Sequence, residues 1–184
     1  MADHAQRPHL TLILPAYNEV RSILRTLDAM QSWLDRNGHS YEIIVSADGN
    51  DGTREVVRER AKSDPRISVL GSAERGGKGR GVRLAVQQAR GEIIGFMDAD
   101  YKVTIEEIEK ILPWFEAGYD FVFGSRGMQD SEIAVRPYWY RQLGSKGFAV
   151  AMRLIVGLWG IRDTQCGFKF FHRDVGLDLF SQQW

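Results

Sequence analysis

Five short apolar runs recur along the first 125 residues, each too short for a buried helix, with segments of helical periodicity between them. This alternation constrains the fold more than any other feature. The runs are Leu10-Thr11-Leu12-Ile13-Leu14, ended by Pro15; Tyr41 to Val45; Ile67 to Leu70; Ile93 to Met97; and Phe121 to Phe123. They read as buried strands. After Asn18-Glu19, apolar residues at Val20, Ile23, Leu24, Leu27, Met30 and Leu34 keep helical spacing until Asn37-Gly38. A charged helix is predicted from Arg54 to Ala61, stopping near Asp64-Pro65, and another through Val82, Leu84, Ala85, Val86 and Ala89. Thr104 with Glu107 fits a capping box for a further helix, which Pro113 should bend or end. Strands that alternate with helices in this way require right-handed crossovers, giving an α/β fold whose parallel sheet is covered on both faces. Such sheets bind ligands outside the carboxyl ends of their strands, and every motif considered below before residue 127 lies at one of those ends.

The chain has 184 residues, so one domain is expected. Its 24 basic and 24 acidic residues cancel, which argues against a nucleic-acid protein held by bulk positive charge. A single cysteine, Cys166, excludes an internal disulfide framework and suits a reducing compartment. The opening Met-Ala-Asp-His-Ala-Gln-Arg-Pro lacks the apolar core of a secretory signal, and no apolar run approaches the roughly 18 residues of a membrane span. From Tyr138 to Trp159 aromatic and aliphatic residues crowd a helical stretch that also carries Arg141, Lys146 and Arg153. Two compatible readings are a helix packed on the sheet and an amphipathic helix facing a lipid surface.

Asp98-Ala99-Asp100 follows the fourth strand, so both carboxylates should sit together at the ligand edge. Two like charges that close are costly without a cation, and Mg²⁺ or Mn²⁺ bridging to a diphosphate is a natural partner for them. The alternative is helix capping. The loop Arg75-Gly76-Gly77-Lys78-Gly79-Arg80-Gly81 is neither a Walker A element nor a Gly-x-Gly-x-x-Gly fingerprint, because Ser or Thr is missing after Lys78 and Val82 falls where the last glycine belongs. A cationic loop leading into a helix N-terminus is left, suited to an anion or simply solvated. In Pro15-Ala16-Tyr17-Asn18-Glu19 an aromatic and a carboxylate could hold a nucleobase, or Asn18 and Glu19 could cap the next helix. Arg126, Arg141 and Ser145 offer cations and a hydroxyl for phosphate. The four histidines show no metal-ligand spacing, and they and Cys166 read as structural.

Taken in order, Pro15-Ala16-Tyr17-Asn18-Glu19, Ala47-Asp48-Gly49, Gly77-Lys78-Gly79, Asp98-Ala99-Asp100 and Gly124-Ser125-Arg126 resemble the family 2 inverting glycosyltransferases of the GT-A fold. Arg141-x-x-x-Ser145 and the run Arg162-Asp163-Thr164-Gln165-Cys166-Gly167-Phe168-Lys169 are similar to the dolichyl-phosphate glucosyl- and mannosyltransferase branch, the run being most like the β-glucosyltransferases. The resemblance implies a Rossmann-like sandwich with a mostly parallel sheet, with residues 1–184 forming one catalytic domain. Because family members usually continue past the equivalent of Trp184, the chain reads as either a short natural form or one truncated at its C-terminus. By the same resemblance Pro15, Ala16, Tyr17, Glu19 and Asp48 would hold the base, with Lys78, Asp98 and Ala99 completing the nucleotide-sugar site. Asp98 and Asp100 would bind the metal and diphosphate, while Arg126, Arg141 and Ser145, together with Asp100, would serve the transfer. Some members carry a further metal-ligating glutamine two residues after the second aspartate; here that position is Lys102, leaving the shell to Asp98, Asp100, phosphate and water. The base-binding turn also departs from Asp-Asp-Gly-Ser, leaving Asp48 as its single carboxylate.

The implied reaction moves a hexose, glucose from UDP-glucose, onto a polyprenyl or dolichyl phosphate with inversion and with Mg²⁺ or Mn²⁺. GDP-mannose as donor, another acceptor, or a non-catalytic nucleotide-sugar-binding module are the alternatives. A lipid phosphate is already ionised near neutral pH and needs cations rather than a general base, whereas an alcohol acceptor would want a base; none stands out, Asp163 staying open, which favours the phosphate acceptor. The expected location is the cytoplasm, with peripheral contact at the cytoplasmic face of a membrane and no nucleic acid as partner.

Overall fold

The computed structural model describes residues 7–100, 103–125, 163 and 166–182. It divides into two compact units, one formed by Met1–Val122 with Phe168–Trp184 and the other by Phe123–Gly167. Most of the second unit, including the predicted helical stretch 138–160, lies outside the described residues.

Along the chain the elements run β1 (Leu10–Tyr17), α1 (Ile23–Arg36), β2 (Tyr41–Asp48), α2 (Thr53–Ser63), β3 (Ile67–Leu70), α3 (Lys78–Gln88) and β4 (Ile93–Phe96). A 3₁₀ helix (Ile105–Lys110), α4 (Leu112–Glu116), β5 (Phe121–Phe123), β6 (Lys169–His172) and α5 (Arg173–Ser181) follow. The strand order is β3-β2-β1-β4-β6-β5. The pairs β1–β2, β1–β4 and β2–β3 are parallel, and β4–β6 is antiparallel. The sheet is thus mixed, with a parallel core.

The chain winds outward from β1 to β3 and then returns across β1 to β4. With right-handed crossovers, α1 and α2 must lie on one face and α3 on the other. Packing agrees. Ile13, Ile44, Ile94 and Phe171 form one apolar cluster with Val82, Ala85, Val86 and Ala89 of α3, and Leu177 and Phe180 of α5 pack against it. The residues of opposite parity, Leu10, Leu12, Leu14, Ile43 and Val45, are also fully buried, so both faces are covered. The reversal between β1 and β4 is a topological switch point, and sheets of this kind bind ligands outside the carboxyl ends of the strands that flank it.

Four local expectations need correction. Pro15 does not end β1, which continues to Tyr17 paired with β2 as far as Asp48. The β4 side of β1 is paired only up to Ile13, so a residue without an N–H is tolerated two positions later. The Thr104–Glu107 capping box does not form: Thr104 makes no side-chain cap, and its carbonyl accepts from Glu107 N at the head of a 3₁₀ turn. Pro113 neither bends nor ends a helix but sits in the first turn of α4, where its missing N–H costs nothing. Finally, Lys169–His172, assigned no element from the sequence, forms β6 antiparallel to β4 within the mostly parallel sheet.

Candidate functional site

The carboxyl ends of β1, β2 and β4, with the turns that follow them, carry Pro15, Ala16, Tyr17, Glu19, Asp48, Asp98, Ala99 and Asp100. Tyr17 and Asp48 end neighbouring strands as register partners. Tyr17 is 46 % exposed, with the Arg75 guanidinium 4.5 Å from its ring centroid. Pro15 is half-buried and Ala16 buried beneath it. Asp98 and Asp100 lie on the turn after β4, both exposed, with Ala99 buried between them. Two bonds fix this turn. Met97 N donates to Ile13 O (3.1 Å), and the buried Thr26 hydroxyl of α1 donates to Ala99 O (3.0 Å). The Lys78 ammonium forms an ion pair with the Asp98 carboxylate.

Asp48 is buried and already engaged: its oxygens accept from Ser72 N (3.2 Å) and Gly76 N (2.8 Å). It therefore anchors the β3–α3 loop, while an ionised carboxylate retains acceptor capacity for a further donor. Glu19 is not turned wholly to ligand either. Its backbone N donates to Thr53 Oγ1 (2.9 Å), its carbonyl accepts from Ser22 N and Ile23 N, and its carboxylate accepts the Ser22 hydroxyl. The capping alternative is not realised as such: α1 begins after Ser22 without a side-chain cap, and Glu19 braces the preceding turn instead.

Sequence reasoning missed the residues that hold these loops in place. Asp51 accepts from Val20 N (2.9 Å), Thr53 N (3.0 Å) and Thr53 Oγ1 (2.6 Å), tying the β1–α1 turn to the start of α2. Partial burial opposes its ionisation, but these hydrogen bonds prevail and hold its carboxyl below the usual range. The Arg54 guanidinium donates to the carbonyls of Ala47 (3.2 Å), Gly49 (2.7 Å) and Ser72 (2.5 Å). An Asp two residues before a threonine at a helix start is a turn-capping signal that could have flagged Asp51. Gly49 must be glycine: its φ is +109°, and a Cβ there would meet Asn18 Oδ1 at 2.1 Å.

Gly124 and Ser125 are half-buried and belong to the second unit, while Lys102, Arg126, Arg141 and Ser145 lie outside the described residues. A cleft lined by Arg7, Pro8, Glu92, His172, Arg173 and Asp174 opens at the opposite edge of the sheet, where β4 begins, and holds none of the predicted residues. Among the described residues no three His, Cys, Asp or Glu side chains gather into a ready metal cage. The Asp98–Asp100 turn still suits a hard divalent ion that takes one or two carboxylates and draws its other ligands from phosphate and water, and a cation, the Lys78 ammonium, already rests on Asp98. Among the described residues no helix is long and apolar enough to cross a membrane.

Residues 11–179 match the glycosyl transferase family 2 profile. The chain is 35 % identical over 187 residues to a dolichyl-phosphate beta-glucosyltransferase of Trichomonas vaginalis, covering 95 % of this chain and 55 % of that protein. The Homo sapiens dolichyl-phosphate beta-glucosyltransferase is 29 % identical, with 94 % and 57 % covered. The chain thus spans a little over half the length of these relatives. Among solved structures, it is similar to the mannosyltransferase PcManGT from Pyrobaculum calidifontis in complex with GDP-Man and Mn²⁺, with TM-score 0.65, 24 % identity, and 95 % of this chain and 47 % of that one covered. It is also similar to glucosyl-3-phosphoglycerate synthase from Mycobacterium tuberculosis in complex with Mn²⁺ and UDP-glucose, with TM-score 0.62, 18 % identity, and 93 % and 58 % covered. These structural likenesses establish the GT-A fold.

Proposed function

The chain belongs to glycosyl transferase family 2, and on that premise we propose that it transfers glucose from UDP-glucose to a polyprenyl phosphate of the dolichyl type, inverting the anomeric carbon. The observation that carries the reading is the joint exposure of Tyr17, Asp98 and Asp100 at the carboxyl edge around the β1/β4 switch point, with Asp48 beside Tyr17 in register. An aromatic face beside a carboxylate, with a carboxylate pair after a strand of the same sheet edge, supports a site for the base and diphosphate of a nucleotide sugar. The names of the relatives favour glucose and a dolichyl phosphate.

In this reading Tyr17 stacks on the base and the free acceptor sites of Asp48 take its N–H groups. Asp98 and Asp100 hold Mg²⁺ or Mn²⁺, which when bound neutralises the diphosphate leaving group. The acceptor phosphate oxygen forms its bond to the sugar C1 as the bond from C1 to the β-phosphate oxygen breaks, and the electron pair leaves with the nucleoside diphosphate. A phosphate monoester is largely ionised near pH 7, so no proton has to be removed. Arg126, Arg141 and Ser145 are assigned to holding the two anions together, with residues 1–184 acting as one catalytic domain. Peripheral contact with the cytoplasmic face of a membrane through residues 138–160 belongs to the same proposal.

The test is transfer of radiolabelled glucose from UDP-glucose to dolichyl phosphate in detergent with Mn²⁺, alongside GDP-mannose as donor. Asp100→Asn should lower turnover on the order of 10²-fold or more with an unchanged circular dichroism spectrum. Transfer from GDP-mannose alone would reassign the donor, and saturable binding without turnover would make the chain a nucleotide-sugar-binding module.

A further inference from the structure

The Lys78–Asp98 ion pair joins two residues assigned to the same ligand, and both side chains are about half exposed, at 47 % and 51 %. Lys78 is the first residue of α3 and follows Gly77, whose φ is +88°. Its ammonium also lies 5.7 Å from the Phe96 ring centroid, at the end of the strand that leads to Asp98. The loop before it is pinned on the other side, because Asp48 accepts Ser72 N and Gly76 N. Lys78 therefore reaches Asp98 from a segment fixed at its base, while Gly77 and Gly79 have open space around them. The ammonium thus already pairs with the carboxylate that, on the proposed function, would receive the divalent ion.

We propose that Lys78 is a resident counter-cation of Asp98 that couples metal binding to donor binding. This rests on the reading of Asp98 as a metal ligand. Without a nucleotide, a divalent ion must displace the ammonium and leave it without an anionic partner, so metal alone binds weakly. When the ion arrives with a diphosphate, the displaced ammonium gains phosphate oxygens within reach of the same helix N-terminus. Each ligand then relieves a cost that the other would bear alone, which is positive coupling between two sites on one carboxylate. Lys78 is a positioning residue for the donor complex, and its loss should affect metal alone and metal with nucleotide in opposite directions.

The test is Mn²⁺ binding read by electron paramagnetic resonance of the free ion, with and without UDP, on the whole chain and on Lys78→Ala and Asp98→Asn. Lys78→Ala should bind Mn²⁺ alone more tightly, by up to about fivefold, the ceiling for an exposed ion pair. The factor by which UDP tightens Mn²⁺ should fall by a similar amount or more. Asp98→Asn should lose most Mn²⁺ binding in both conditions. If Asp98→Asn weakens Mn²⁺ but Lys78→Ala leaves it unchanged or weaker, the coupling role of Lys78 is overturned while the metal reading stands. If Asp98→Asn binds Mn²⁺ as the parent chain does, or the parent chain itself does not bind it even with UDP, the metal reading itself fails and the coupling with it. Circular dichroism of each variant separates these outcomes from misfolding.

Discussion

Thr26 shows how a residue far along the chain can position the Asp98-Ala99-Asp100 turn. Its buried hydroxyl on α1 reaches a carbonyl 73 residues away, between two carboxylates that the sequence marks plainly. Thr26→Val keeps the shape and removes the donor, leaving Ala99 O without this partner. The expected loss is about 1–2 kcal/mol of stability, read from urea midpoints. On the proposed function it should also weaken binding of Mn²⁺ with UDP several-fold, and Thr26→Ser, which keeps the hydroxyl, should restore both. The acidic pair was legible because it follows an apolar strand. Thr26, Asp51 and Arg54 were not, because their partners are set by how turns from different crossovers meet, and a polar residue in an amphipathic helix looks the same whether it faces water or a buried carbonyl. Asp48 was legible as a candidate at the end of the second strand but not as the anchor of the loop that follows β3.

Strand existence was easier to read than strand length or partner. All five apolar runs became strands, yet β1 and β2 run three residues beyond the predicted ends, since pairing with each other satisfies Pro15-Ala16-Tyr17 and Ser46-Ala47-Asp48. Those added residues bring Tyr17 and Asp48 side by side, so the element boundary decides which side chains meet at the candidate site. The strand β6 escaped notice because four residues after a glycine carry no period, and only its fully buried Phe170 and Phe171 reveal a core strand. Its pairing places Phe170 opposite Gly95, where a Cβ would lie 2.1 Å from the Phe170 ring. Gly95→Ala should therefore force the ring aside and cost roughly 1–3 kcal/mol, measured by chemical denaturation. A variant with the parent's midpoint would mean that the ring moves freely.

For the molecule as a whole, the α/β class and the placement of motifs at one sheet edge were legible from alternation alone, whereas the order of strands required the pairing itself. Stability against pH is another property of the whole. Hydrogen bonds from Arg66 hold Asp64 down at about 2 and lower Asp35 as well. Burial, then the nearby His9 charge, keeps His39 below its ordinary 6.5, where its ring stacks on Trp33. Groups lowered on folding make the unfolded chain bind more protons, so stability falls as the medium is acidified. The His39 contribution is lost on descending below 6.5, and that of Asp64 between 3.8 and about 2. Burial raises Tyr41 from 10.0 to about 12, and here the unfolded chain ionises first, so stability falls as pH climbs across that interval. Urea midpoints should be flat from about pH 6.5 to 10 and decline on either side, with the alkaline decline missing in Tyr41→Phe.

The sheet also imposes an order of assembly. One neighbour of β4 is β1, made long before it, but the other is β6, whose residues Lys169–His172 follow only after some seventy more have been synthesised. During translation the half carrying Asp98 must wait on the ribosome with one side of β4 unpaired, and contacts this distant in sequence close slowly. The nascent chain is therefore exposed to edge-to-edge aggregation over that interval, and slowing synthesis between the codons for Phe96 and Lys169 should lower its soluble yield.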